Sequence, residues 1–219
     1  MEATTHKEEK KVMRRIWMLI ALSGLTATLA AAQPPKPPEE RIPPFVKTVE
    51  LHPGLPPLEV RVIPAAPSEG SKAPLGRVEV SRRGEPGPFQ MITVTGEGYP
   101  LQLTFSKFAD ANFDGYTDLL LGHEGGAKWI GYAIYFYDPE SGTFVQNGLS
   151  REMSERLTGQ DLIFHPKTRE IELTQLPAGC QNGFISSDTF VIQGSHLRQI
   201  EEVKHVRTPE GCYAVKYRL

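Results

Sequence analysis

The segment D-A-N-F-D-G-Y-T-D places side-chain oxygens at loop positions 1, 3, 5 and 9: Asp110, Asn112, Asp114 and Asp118. Gly115 stands at position 6, where a ligating loop turns sharply, and Tyr116 at position 7 offers its backbone carbonyl. Ca²⁺ takes six to eight oxygens at roughly 2.3–2.6 Å, and alternate residues of a curved loop aim their oxygens at one centre. Unit charges about 4 Å apart near a surface interact by several kcal/mol, so three carboxylates this close in sequence repel one another unless a cation lies between them. The competing reading is a metal-free turn, because Asp, Asn and Gly favour turns for local reasons. Four oxygens in register, with glycine at the bend, favour the ion.

The loop is not an EF-hand. That motif needs a bidentate Glu at position 12 and helices on both sides. Position 12 here is Leu121, and the flanks L-Q-L-T-F-S-K-F and L-L-L-G read as strands. Without the Glu, the expected dissociation constant is that of extracellular modules, about 10⁻⁴ to 10⁻³ M or somewhat tighter.

The elements that must hold this loop are β-strands in an exported chain. Lys10, Lys11, Arg14 and Arg15 precede an apolar stretch from Ile16 to Leu29, and Ala30-Ala31-Ala32 follows. That is the order of an export signal, with residues 1–32 removed. The apolar stretch is short for a span of about 20 residues, so no membrane span is expected after cleavage. Twelve of the chain's 19 prolines fall between Gln33 and Pro74, and residues 33–57 read as a proline-rich spacer. Residues 58–219 read as one β-rich domain. The formal net charge is −2 and no basic stripe emerges, which argues against a nucleic-acid partner. Cys180 and Cys212 are the only cysteines. In an exported chain an even pair reads as a disulfide, worth roughly 3–4 kcal/mol in the chain-entropy model.

Strands are expected at Leu58–Ile63, Arg77–Ser81, Gln90–Thr95, Leu101–Phe108, Leu119–Leu121, Tyr132–Tyr137, Asp161–Phe164, Glu170–Thr174, Thr189–Gln193, Leu197–Val203 and Tyr213–Arg218, separated by turn signals such as G-E-P-G-P and D-P-E-S-G. Y-A-I-Y-F-Y is apolar or aromatic throughout and suits a strand buried on both faces, whereas I-E-L-T alternates. Ser150 to Leu157 suits one helical turn. The fold class is all-β: a small irregular β-propeller-like domain of short antiparallel strands with one calcium loop. The calcium signature occurs once and no clean repeat accompanies it, so a regular many-bladed propeller is not expected.

These residues resemble a group of bacterial exported proteins related to FG-GAP propellers. The resemblance rests on F-Q-M-I-T-V (Phe89 to Val94), L-Q-L (Leu101 to Leu103), D-A-N-F-D-G-Y-T-D-L (Asp110 to Leu119), Y-A-I-Y-F-Y-D-P-E-S-G-T-F (Tyr132 to Phe144) and L-R-Q-I (Leu197 to Ile200). It covers roughly Phe89 to Leu219. It implies a calcium-binding periplasmic or secreted protein, with Asp110, Asn112, Asp114, the Tyr116 carbonyl and Asp118 as ligands. At least one member of the group protects its own cell by inhibiting a peptidoglycan hydrolase delivered by an antibacterial type IV secretion system. The implied partner is therefore a secreted peptidoglycan hydrolase or another envelope macromolecule.

No H-E-x-x-H or G-x-S-x-G motif is present, and the histidines are scattered. The expectation is a non-enzymatic binding module, an immunity-type inhibitor in its sharpest form. The alternatives are a glycan-binding or adhesive module and an envelope enzyme with a spatially assembled site. The segment H-E-G-G-A-K-W offers His123, Glu124 and Trp129 as partner contacts, because Trp is favoured at interface hot spots. Its plain alternative is a hairpin connection.

Overall fold

The alternation in L-E-V-R-V-I-P dictates the first sheet. Leu58, Val60 and Val62 are buried while Glu59 and Arg61 face solvent, the period-two pattern of a strand with one wet face. In the computed structural model, which describes residues 43–65, 74–96, 99–124, 129–175 and 186–219, this strand (β2, Leu58–Pro64) lies between β1 (Phe45–Val49) and β3 (Pro74–Arg82), and β4 (Gln90–Thr95) completes an antiparallel meander. The register sets Val62 opposite Val78 and Val78 opposite Ile92, so one row of branched side chains crosses three strands. β1 falls inside the stretch read as a spacer. Its ladder to β2 runs Phe45↔Val62 to Val49↔Leu58, with the prolines just outside the paired residues.

The second sheet is β5 (Lys107–Ala109), β6 (Asp118–Glu124), β7 (Ile130–Asp138) and β8 (Thr143–Val145), and the third is β9 (Asp161–His165), β10 (Glu170–Gln175), β11 (Ser186–Gln193), β12 (His196–Thr208) and β13 (Gly211–Arg218). Each sheet pairs strands consecutive in sequence, all antiparallel. The all-β expectation holds, with three sheets, one helix and no closed barrel among the described residues.

The second sheet is apolar on both faces, as Y-A-I-Y-F-Y implies. Leu119, Leu121 and Tyr137 join the core of the first sheet. Leu120, Tyr132, Ile134 and Phe136 join a second core with Leu162, Ile171, Leu173 and Phe190 of the third. Burying one such side chain contributes about 1.5–3 kcal/mol. The edges are tied by side chains that imitate backbone. Gln90 of β4 donates Nε2–H to the Phe144 carbonyl at 2.6 Å and accepts the Phe144 N–H at 2.9 Å.

Helix α1 (Gly148–Arg156) is longer than the single turn expected. Asn147 caps it: its side chain accepts the Ser150 N–H, and the Ser150 hydroxyl accepts the Asn147 N–H. Such a box satisfies two of the amides that a helix start leaves without partners. Met153 and Leu157 anchor the helix in the second core. Ser154 accepts the Ile134 N–H and Gln146 donates to the Ile134 carbonyl, so polar side chains complete β7 where β8 stops.

The expected strand Leu101–Phe108 is broken. Leu101 forms only an isolated bridge to His123, and regular pairing starts at Lys107. Ser106 causes the break by folding its hydroxyl back onto the Gln102 carbonyl at 2.8 Å while accepting the Gly122 N–H at 3.1 Å. A Cβ on Gly122 would lie 2.4 Å from the Phe105 carbonyl oxygen, so this crossing requires glycine.

Candidate metal-binding loop

β5 and β6 pair with Ala109 opposite Asp118, which leaves residues 110–117 as their connection. The loop curls around its own carboxylates. Asp110 accepts the Asp114 N–H at 3.0 Å and the Gly115 N–H at 2.9 Å, one on each oxygen. Asn112 accepts the Asp114 N–H at 3.0 Å and donates Nδ2–H to Asp114 at 2.8 Å. Asp114 accepts the Tyr116 N–H at 2.9 Å. Amides bonded to ionised acceptors are roughly twice as strong as neutral pairs. The curl requires left-handed backbone at Gly115 (φ 95°), the position-6 glycine, and also at Phe113 (φ 61°), which the sequence does not announce.

Asp118 differs from the other three because it is fully buried. One oxygen accepts the Ala111 N–H at 2.8 Å and the other the Tyr137 N–H at 2.9 Å. Burial pushes its pKa up to about 7; the two amides oppose the shift, and the charges of Asp114 and Asp110 add to it. Asp118 therefore senses the charges of both loop carboxylates. Among the described residues, no group of three or more His, Cys, Asp or Glu side chains is gathered closely enough to hold a metal ion by itself. The donor set of this loop also includes Asn112 and the Tyr116 carbonyl. Each carboxylate oxygen that accepts one N–H keeps a further lone pair. Hard anionic and amide oxygens, mutually repelling around a desolvated acid, are the chemistry that suits Ca²⁺.

The loop is anchored to the first sheet by residues the sequence reading missed. Thr117 donates its N–H to the Leu51 carbonyl at 2.8 Å and its hydroxyl to the Glu50 carbonyl at 2.7 Å. The Tyr116 ring stands 5.0 Å from His52 and 5.6 Å from Tyr137, centroid to centroid. No local signal reveals the contacts to Glu50, Leu51 and His52, which lie more than sixty residues away in sequence.

His123 and Glu124 end β6, the strand that Asp118 begins, so they lie about 20 Å along the strand from it. Trp129 immediately precedes β7 and meets the His123 ring edge-on at 6.3 Å. Residues 125–128, between them, lie outside the described residues. Trp129 is 40% exposed. His123 is driven below the ordinary imidazole pKa by burial, and its Nδ1 is buried without a hydrogen-bond partner. The length of β6 thus separates His123 and Glu124 from the start of that strand at Asp118. Cys180 also lies outside the described residues, as do residues 1–32, which read as an export signal, while Cys212 sits on β13. Among the described residues, no helix is long and apolar enough to cross a membrane.

No family model matches the chain, and no curated protein matches its sequence. One solved structure aligns with 81% of this chain and 95% of its own, at 20% identity and a TM-score of 0.45. It is described as "Structure of a Xanthomonas Type IV Secretion System related protein". At that identity and score the likeness bears on neither activity nor partners.

Proposed function

We propose that this chain is an exported, non-enzymatic β-protein that binds one Ca²⁺ in the 110–118 loop and acts as a binding module in the cell envelope. The observation that carries the reading is the loop itself: oxygen-bearing residues at positions 1, 3, 5, 7 and 9, its amides curled onto Asp110, Asn112 and Asp114 and its start held by the buried Asp118. Asp110, Asn112, Asp114, the Tyr116 carbonyl and Asp118 would hold the ion, which supplies positive charge among three carboxylates. Thr117 and Tyr116 tie whatever the loop gains in order to residues 50–52 and to β7. Three successive antiparallel meanders, the middle one buried on both faces, support a propeller-like architecture for the domain.

The sharpest form of the proposal is an immunity-type inhibitor of a secreted peptidoglycan hydrolase, as the family resemblance implies. A preorganised loop lowers the ordering cost of binding such an enzyme. The test is a muramidase assay with a lysozyme-like hydrolase from the same cell's antibacterial secretion apparatus. The purified protein should suppress lysis stoichiometrically, and Asp114→Ala should weaken that suppression. Undiminished hydrolase activity at a tenfold excess of the protein contradicts the inhibitor form, and turnover of a wall substrate by this protein alone contradicts the non-enzymatic one.

A further inference from the structure

The core face of the third sheet continues beyond its core. Across four strands one row reads Leu173, Asp188, Glu202, Tyr217. Leu173 is buried, whereas Tyr217 at the far end is 42% exposed. The next positions on the same face set Lys204 opposite Val215 and Val206 opposite Tyr213. Val206 and Tyr213 are also open, at 38% and 51%. A face that is apolar and covered on β10 thus emerges on β12 and β13 as an uncovered strip of aromatic and aliphatic groups.

The strip has an acidic floor. Asp188 and Glu202 stand directly opposite each other on neighbouring strands, an arrangement that is destabilising for like charges. Asp188 is half-buried and gripped by two neutral amides, Gln175 Nε2–H at 2.7 Å and Gln199 Nε2–H at 2.8 Å. These fix the carboxylate without neutralising it. A cavity of about 320 Å³ opens there, lined by Asp188, Glu202, Lys204 and Val206 among others. Lys204 shows which chemistry the strip accepts: its ammonium pairs with Glu202 at 2.7 Å and stands 5.8 Å from the Tyr217 ring centroid. That pairing engages Glu202, while among the described residues the hydrogen bonds to Asp188 come only from neutral amides, and Lys204 acts on it at longer range.

We propose that this strip is a docking surface for a protein partner that inserts a lysine or arginine side chain toward Asp188 from an otherwise apolar segment. Charge complementarity chooses the occupant. Among the described residues Asp188 and Glu202 set two carboxylates against the single ammonium of Lys204, and the tyrosine walls favour a cation over their faces. A guanidinium would satisfy the fixed carboxylate through two parallel hydrogen bonds. The surface belongs to a different sheet from the 110–118 loop, and the inference stands without calcium.

The test is a ¹⁵N–¹H NMR titration of the full mature chain with a blocked Leu-Arg-Leu-Arg peptide, with Leu-Glu-Leu-Glu as the control. The expected result is saturable shifts confined to residues 186–190, 202–206 and 213–217 with the arginine peptide alone. Asp188→Asn, which keeps an acceptor for one glutamine, should weaken binding about tenfold, and Tyr217→Ala about fivefold. Asp138→Asn on the second sheet should leave binding unchanged. No saturable shift, shifts scattered over the surface, or equal affinity in Asp188→Asn and Tyr217→Ala would overturn the proposal. Tyr217 is exposed, so its variant keeps the test decisive if Asp188→Asn does not fold.

Discussion

The carboxylate of Asp118 accepts the amide N–H of Tyr137 at 2.9 Å, which joins the first residue of β6 to the adjacent strand by a side chain rather than by the ladder. Its other oxygen holds the start of the loop at Ala111. One buried acid therefore sets both the sheet and the curl of the candidate site.

Replacing Asp118 by Ala removes the acceptor for two buried N–H groups. The expected loss is about 2–6 kcal/mol, from about 1–3 kcal/mol for each orphaned donor. Asp118→Asn keeps one acceptor and should cost less in chelator-treated protein, while abolishing any calcium-dependent stabilisation. Urea melts with and without Ca²⁺ separate the two effects.

Stability in chelator should depend on pH with opposing contributions. The folded pKa of Asp118, about 7, lies above its ordinary 3.8. Its contribution is thus fully present below the ordinary value and is lost as pH rises through about 7. His123 is shifted below its ordinary 6.5. Its contribution is present above 6.5 and is lost as pH falls through the lowered folded value. Melts across about pH 4–8 should show Asp118→Asn removing the loss on the alkaline side and His123→Gln the loss on the acid side.

Gln90→Leu should cost about 1–3 kcal/mol, because it leaves the Phe144 N–H and carbonyl without the partner that completes the β8 edge. Amide hydrogen exchange at Phe144 should accelerate, with β6 protection retained.

Gly122→Ala drives a Cβ into the Phe105 carbonyl and should destabilise by about 1–3 kcal/mol or more. The same substitution at Gly148, where a Cβ meets nothing within 4 Å, should change the thermal midpoint little.

The strands that follow a period of two were legible in the sequence: L-E-V-R-V-I and I-E-L-T declare one buried face, and Y-A-I-Y-F-Y declares two. The tight turn at 110–117 was legible because its Asp, Asn and Gly spacing is local. Contacts made at long range were not. Thr117 reaching Glu50, Gln90 reaching Phe144 and the break at Ser106 each depend on partners that no local pattern specifies. β1 was obscured by neighbouring prolines, which exclude a helix but not a short strand that begins after them. Nor does sequence distance show that the length of β6 separates His123 from Asp118.

The central claim is most directly tested by calorimetric titration of chelator-treated protein with Ca²⁺, alongside Asp114→Ala. The account predicts one site per chain with a dissociation constant of about 10⁻⁴ to 10⁻³ M or somewhat tighter. At tenfold excess over that constant, the native state should gain about 1.4 kcal/mol, and both effects should be absent in the variant. No heat and no change in melting temperature at about ten millimolar Ca²⁺, above the affinity range of such modules, would contradict it.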